Sequence, residues 1–485
     1  MSSMHGGIIL PGAKGDLKAT PITMGEVSLK VDTPAVSMEQ PVALGEIVGT
    51  IGGKAVLSPL AGTVCYLSDS AVKIIGDGSD RRVEAVPFGR RTGKTLAEST
   101  PEELLDEIRK AGIVEADGQV LAEHLEQAME RSAAGKLRYA VISLLDLDPA
   151  SLSCASLGME YADAIAGGLA ILLRIVAVRQ GTIVCDSAHP LTVNAIRTAC
   201  RKSRLISVEV AENRYPMSHP KLFLRWLYQK EMSATSKPEN MGVFLTDVES
   251  CIALHQLFAT GIPRLSVRTT FRENKQSKLY DLPLGMTLAS LKCSDLWETL
   301  PQDEGERHSL VKPSDSSLWC MGLMNGAHPA DPIDRSVTVL MPVSQLPNRT
   351  KEHGDCIRCG RCVEVCPMYL SPFRYLPEKP WITFLSGSPR DAIACIGCGC
   401  CTYACPAGLP LRRYALRAKE EERIRLEQRK KAREQTAVPA DSATAMLTAM
   451  QPPNPSGQPN QTSQTNESID AQNPKSTEEK GRDAQ

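Results

Sequence analysis

Eight of the sixteen cysteines stand in two runs of one spacing. The first is Cys356-Ile-Arg-Cys359-Gly-Arg-Cys362-Val-Glu-Val-Cys366-Pro367. The second is Cys395-Ile-Gly-Cys398-Gly-Cys-Cys401-Thr-Tyr-Ala-Cys405-Pro406. Both read C-x2-C-x2-C-x3-C-P, a spacing that ligates cubane [4Fe–4S] clusters. A cubane has four iron corners, each wanting one thiolate. Three cysteines at short intervals can wrap three corners, and the fourth ligand must come from elsewhere. The repeat predicts two clusters, close together, that move single electrons. Zinc also uses C-x2-C pairs, but a C-x2-C-x2-C triplet followed by C-P, present twice, is unlike zinc-ribbon spacing.

In two-cluster ferredoxins the fourth cysteine of each run serves the other cluster. That rule assigns Cys356, Cys359, Cys362 and Cys405 to one cluster. It assigns Cys366, Cys395, Cys398 and Cys401 to the other. Gly360, Gly397 and Gly399 let the loop backbone approach an inorganic core, and Pro367 and Pro406 turn the chain away from it. Cys400 breaks the spacing and is read as a non-ligand. Cys65, Cys154, Cys185, Cys200, Cys251, Cys293 and Cys320 share no metal-like spacing and read as small buried hydrophobes of a reducing compartment.

The elements around the runs predict a multidomain α/β and α+β chain. Residues 1–90 alternate short apolar runs with Gly and Pro and predict an all-β module of the barrel-sandwich hybrid type. Lys54 on its hairpin lacks the context of a carrier lysine and is expected to be unmodified. Residues 91–260 alternate strand and helix patterns, which predicts a parallel, Rossmann-like sheet. Thr100-Pro-Glu-Glu opens one of these helices with an N-cap and acidic first turn. Residues 261–345 predict a small β-grasp-like module, of the type that binds soluble ligands, and 350–412 the ferredoxin-like cluster domain. Residues 413–435 form a charged helix: Arg412 to Glu434 holds ten Lys/Arg against five Asp/Glu, with Glu421–Arg425 and Glu427–Lys431 as favourable pairs. From 436 to 485, Pro, Ser, Gln, Asn and Thr dominate, which predicts a disordered tail.

Composition narrows the function. The net charge is −1 and aromatics are 4% of 485 residues, which points away from nucleic acid. The opening Met1-Ser-Ser-Met-His-Gly-Gly lacks the basic and apolar regions of a signal peptide. Tyr161 to Val178 is the longest apolar candidate, but Asp163, Arg174 and its length make it a buried helix rather than a membrane span. His189, His219, His255 and His353 are isolated and read as surface or capping residues, so no acid–base or nucleophilic site is expected. Any membrane association is peripheral.

Several phrases resemble the C subunit of the Rnf ion-translocating oxidoreductase. They are Gly6-Gly-Ile, Ser58-Pro-Leu-Ala-Gly-Thr-Val, Arg214-Tyr-Pro-Met-Ser-His-Pro-Lys, Met321-Gly-Leu-Met-Asn-Gly and the first cysteine run, in that order. The resemblance implies a peripheral subunit on the cytoplasmic face of the inner membrane. It implies partners in a membrane-bound complex that couples ferredoxin and nicotinamide pools to ion movement, and cofactors FMN and NADH besides the clusters. The chain departs from that family where a glycine-rich turn should meet phosphate: Ala111-Gly-Ile-Val-Glu-Ala-Asp-Gly-Gln-Val keeps the lead-in but not the glycines, and Glu115 and Asp117 repel phosphate. Asp146-Leu-Asp-Pro and Ser218-His219 also replace family residues. The expectation is that the clusters alone carry electrons, delivered by a cytochrome, a ferredoxin or a separate flavoprotein. A soluble iron–sulfur flavoprotein of the cobalamin-reductase type is the alternative, disfavoured by the order of modules.

Overall fold

The computed structural model describes residues 4–9, 15–91, 93–273, 276–292, 319–324, 326–343, 354–376 and 389–436. It divides into two units, Met1–Arg425 and Leu426–Gln485, and of the second only the end of the last helix is described. Cys293, His353 and the tail beyond 436 lie outside the described residues.

The N-terminal segment holds strands β1 (Ala19–Pro21), β2 (Met24–Lys30), β3 (Thr33–Pro34), β4 (Pro41–Val42), β5 (Ile47–Ile51), β6 (Lys54–Leu57), β7 (Gly62–Ser68) and β8 (Ala71–Asp77). Two small antiparallel sheets, ordered β2-β8-β7-β4 and β3-β5-β6, face each other over Val27, Val48, Val64, Val72 and Ile74.

Residues 93–260 alternate α1 (Gly93–Glu98), α2 (Pro101–Ala111), α3 (Leu121–Ala133), β9 (Tyr139–Leu144), α4 (Ser153–Glu160), α5 (Ala162–Ile175), β10 (Gly181–Asp186), α6 (Pro190–Cys200), β11 (Ile206–Ala211), α7 (Pro220–Tyr228), β12 (Val243–Asp247) and α8 (Val248–Thr260). The sheet is wholly parallel, ordered β11-β10-β9-β12. Its central strands are buried on both faces, as helices on both sides require. Strand order reverses between β9 and β12, where an open parallel sheet leaves a crevice at its carboxyl edge.

Local chemistry accounts for the helix ends. Thr100 Oγ1 accepts from Glu103 N at 3.2 Å while the Glu103 carboxylate accepts from Thr100 N at 3.1 Å, a closed capping box. Asp247 caps α8 by accepting from Ser250 N at 2.8 Å. The expected helix at Tyr161 to Val178 is α5, held at 90° to α4, and its apolar face is buried in the core. Among the described residues no single helix is long and apolar enough to cross a membrane. Gly168 lets α5 touch the backbone of α8 at Cys251, where a Cβ would clash with the carbonyl.

The expected division between 1–90 and 261–345 is crossed by the chain. Strands β13 (Ser266–Glu273), β14 (Gln276–Pro283), β15 (Trp319–Cys320) and β16 (Val339–Pro342) form a sheet ordered β1-β14-β13-β16-β15. Its edge is β1, paired in parallel with β14. Val267, Leu282 and Leu340 share one core with Val27 and Ile74. The physical reason is burial: neither β segment covers its apolar face alone.

The last helix runs Leu411–Thr436. Of the first expected pair, Glu421 instead meets Arg417 at 3.1 Å and Arg425 meets Glu422 at 3.5 Å.

Candidate metal centre

Both cysteine runs fold the same way. Each is an irregular loop that reaches a glycine with positive φ and then makes one helical turn. The first passes Gly360 (φ 79°) into α9 (Arg361–Glu364). The second passes Gly399 (φ 84°) into the turn Cys400–Tyr403. Only glycine takes this backbone cheaply.

The two turns pack against each other. Cys356, Cys359, Cys362 and Cys405 line one cavity of about 280 Å³, closed by Phe373 and Leu411. Cys405 comes from the second run, so the structure brings together the four cysteines that the crosswise rule groups. Among the described residues no three Cys, His, Asp or Glu side chains converge on a single-ion point; these four thiols instead surround a space wider than one ion needs. The other four also gather. Burial pushes the Cys401 thiol up, and Cys398, Cys395 and Cys366 push it further. Burial likewise raises Cys366, with Cys398 and Cys395 adding to it. Such crowding favours thiolate only where a cationic core compensates, which is the donor chemistry of a cluster.

Amides already point at sulfur. Leu370 N donates to Cys366 Sγ and Gly397 N to Cys395 Sγ, both at 3.4 Å. Arg412 Nε donates to the Gly397 carbonyl at 2.7 Å and Lys419 Nζ to the Cys395 carbonyl at 2.6 Å. Both cations lower the Cys395 thiol against the larger effect of burial, which raises it. Cys400 is fully buried beside Cys398; a hydrogen bond between the two holds the Cys400 thiol up and Cys398 down.

Both loops are tied to the rest of the chain by segments already singled out in the sequence. Tyr215 OH donates to the Cys398 carbonyl at 2.6 Å; burial, then Cys398, push the phenol up and keep it a donor. Asp148 accepts from Leu323 N at 2.9 Å and Met324 N at 3.0 Å, and the Met324 carbonyl lies over Gly399. Gly7 N donates to the Val365 carbonyl at 2.9 Å, and Ile8 bridges Tyr215. A Cβ on Gly6 would stand 2.9 Å from the Cys366 carbonyl. The histidines behave less uniformly than expected. His219 caps α7 by accepting from Lys221 N at 3.2 Å. His189 holds the cap position of α6 without a side-chain bond, and His255 packs on Gly167.

The crevice between β9 and β12 is a cleft of about 430 Å³, lined by Glu115, Asp146, Phe223, Asp247, Arg268 and Arg335 among others. The 113–120 loop bonds to itself: Glu115 N donates to the Gln119 carbonyl at 2.8 Å and Gly118 N to the Glu115 carbonyl at 3.0 Å. Ala116 N donates to Asp247 Oδ2 at 3.1 Å. Glu115 is buried, 2.6 Å from His124 Nδ1, and accepts from Thr246 Oγ1. Burial lowers His124, but Glu115 and Glu239 outweigh it and raise the imidazole to about 9, so the pair holds its proton on His124. Sequence reasoning found Glu115 and missed His124, Asp247 and Arg335. Asp247-Val-Glu-Ser was legible as a helix start; Arg335 carried no signal.

Residues 108–256 match the Nuo51 FMN-binding domain, and residues 355–409 match the 4Fe-4S dicluster domain. FMN and paired 4Fe–4S clusters are the cofactors these two models name. The chain is 24% identical over 307 residues to the C subunit of the proton-translocating ferredoxin:NAD(+) oxidoreductase complex of Clostridium ljungdahlii, covering 62% of this chain and 63% of that one. It is 25% identical to the C subunit of the ion-translocating oxidoreductase complex of Haemophilus influenzae, over 63% of this chain and 44% of that one. With the same subunit of Pseudomonas aeruginosa it shares 26% identity over 77% of this chain and 50% of that one. The chain thus spans less than two thirds of these relatives' length. A solved NAD+-reducing [NiFe]-hydrogenase is 14% identical with a TM-score of 0.42, covering 69% of this chain and 68% of that one.

The dicluster match coincides with the eight cysteines, whose arrangement fits the group. The flavin match includes the 113–120 loop, whose Ala116 amide is taken by the Asp247 carboxylate and whose Glu115 carboxylate is buried against His124 and Thr246, so a flavin phosphate does not fit at that loop. In domain content and in its relatives, the chain is a homologue of the C subunit of the ion-translocating oxidoreductase complexes.

Proposed function

We propose that this chain is the peripheral electron-transfer subunit of a membrane-bound, Rnf-type ion-translocating oxidoreductase, placed on the cytoplasmic face of the membrane. Cys356, Cys359, Cys362 and Cys405 would hold one [4Fe–4S] cluster; Cys366, Cys395, Cys398 and Cys401 would hold the other, with Cys400 outside the ligand set. The observation that carries this reading is the cavity that gathers three thiols of one run with Cys405 of the other. Bound there, the clusters supply one-electron transfer at low cost in rearrangement.

The chain's own residues do the rest. Leu370 and Gly397 amides aim at sulfur. Arg412 and Lys419 place positive charge beside the second group and favour an added electron there. Cys359 and Ile357 are exposed at the first group, which makes that end the accessible one for a redox partner. The segments 1–90, 91–260, 261–345 and 350–412 serve in this reading as barrel-sandwich, Rossmann-like, β-grasp-like and ferredoxin-like modules. No step is routed through a flavin, and the electron donor is a separate redox protein. Iron, flavin and partner polypeptides measured in one preparation purified from membranes test the proposal. About eight irons per chain, flavin well below one per chain and co-purifying membrane subunits are expected. Iron-free protein, or protein without partners, refutes it.

A further inference from the structure

Three arginines of the small β module stand beside the cleft, and two of them are neutralised. Arg264 donates to Glu249 Oε2 and to Asp281 Oδ1, both at 2.6 Å. Arg268 is fully buried and donates to Asp281 at 2.7 and 3.0 Å and to Glu160 at 2.9 Å. Arg335 is different. It is 5% exposed and lines the cleft. Its Nη2 donates to the Arg264 carbonyl at 2.7 Å, and its Nη1 is buried with no acceptor among the described residues. A buried guanidinium with an unused donor and no carboxylate in contact is costly to keep. The charges of Glu249, Asp247 and Glu115 act on it from a distance without forming an ion pair; one trapped water would satisfy the donor, and the cleft is far larger than a water needs.

We propose that the cleft binds a small monocarboxylate with an apolar body, its acid group seated on Arg335. Guanidinium pairs best with a planar oxyanion. Glu115, Asp146, Asp247 and Glu249 line the same space, and their charges oppose a dianion such as phosphate more strongly than a monocarboxylate. Leu145, Leu147, Phe223 and Val248 supply apolar wall, and the volume lies in the range of small-molecule sites. Arg335 lies outside the segment that matches the FMN-binding domain, whereas most of the cleft's other lining residues, Glu115 and Asp247 among them, lie inside it. The proposal does not depend on the electron-transfer reading.

Calorimetric titration of the anaerobic full chain at fixed ionic strength tests it, with benzoate and hexanoate as probes and inorganic phosphate and benzyl alcohol beside them. Saturable one-to-one binding of a carboxylate is expected, with no saturation by phosphate or the alcohol. Arg335→Lys should weaken binding about tenfold and Arg335→Met should abolish it, both at unchanged iron content. Absence of saturation by both carboxylates overturns the proposal, as does phosphate binding equally well or Arg335→Met binding as the unaltered chain does. Titration of the unaltered chain decides the matter even if a variant fails to fold.

Discussion

The two cysteine runs are close copies in sequence and opposites in surroundings. Gly360 and Gly399 occupy the same place in each, with φ of 79° and 84°. Nothing lies within 4 Å of a Cβ on Gly360, whereas a Cβ on Gly399 meets the Met324 carbonyl. The first loop faces solvent through Cys359 and Ile357. The second is clamped by Tyr215, Arg412 and Lys419, and its Ile396 packs on the α/β core. The difference teaches that the repeat dictates where the thiols gather, while residues far away in sequence dictate what each group is exposed to.

The comparison breaks most visibly if the cysteines pair within runs. A Cys359→Ser/Cys405→Ser double variant removes two ligands of one cluster under the crosswise arrangement. About four irons per chain should remain; loss of all iron by chemical analysis would show run-wise ligation. The two glycines give the next largest effect. Gly360→Ala bears only the left-handed strain of about 1–2 kcal/mol. Gly399→Ala adds the Met324 clash and should cost about 1–3 kcal/mol more, read as a lower midpoint in anaerobic denaturant unfolding.

A reference point outside both runs is His124. Its folded value of about 9 exceeds its unfolded value of about 6.5. Its contribution is therefore full below pH ~6.5 and is lost as pH rises towards ~9, at most about 3 kcal/mol. His124→Gln should flatten that slope in unfolding free energy while leaving iron content unchanged. The smallest effect sharpens the contrast in electrostatics. Lys419→Gln should lower the second cluster's potential by about 1 kcal/mol, or about 40 mV for one electron. The first cluster should stay fixed in a redox titration followed by electron paramagnetic resonance.

The eight cysteines, the parallel α/β segment and the capped start of α2 were legible because their signals are local: a spacing, an alternation, a Thr100-Pro-Glu-Glu. The flavin-type turn was legible as altered because Glu115 replaces glycine, but the Asp247 carboxylate on the Ala116 amide was not, since that bond spans 131 residues. The pairing of β1 was not legible for the same reason: three residues carry no record of a partner at Leu279. Asp146–Pro149 reads as a departure from the family, and Tyr215 and Met321–Met324 as parts of two separate phrases that resemble it. Only the fold shows that Asp148, Met324 and Tyr215 converge on one cysteine loop. Arg335 could not be found from sequence, because an arginine without a carboxylate in contact looks like any other until its surroundings are known.

The clasp between Gly7 and Val365 orders events in time. A ribosome releases the early glycines long before Val365 has been made, so this contact closes only once the first cysteine run exists and has taken shape. The N-terminal segment therefore closes on a loop that is already complete.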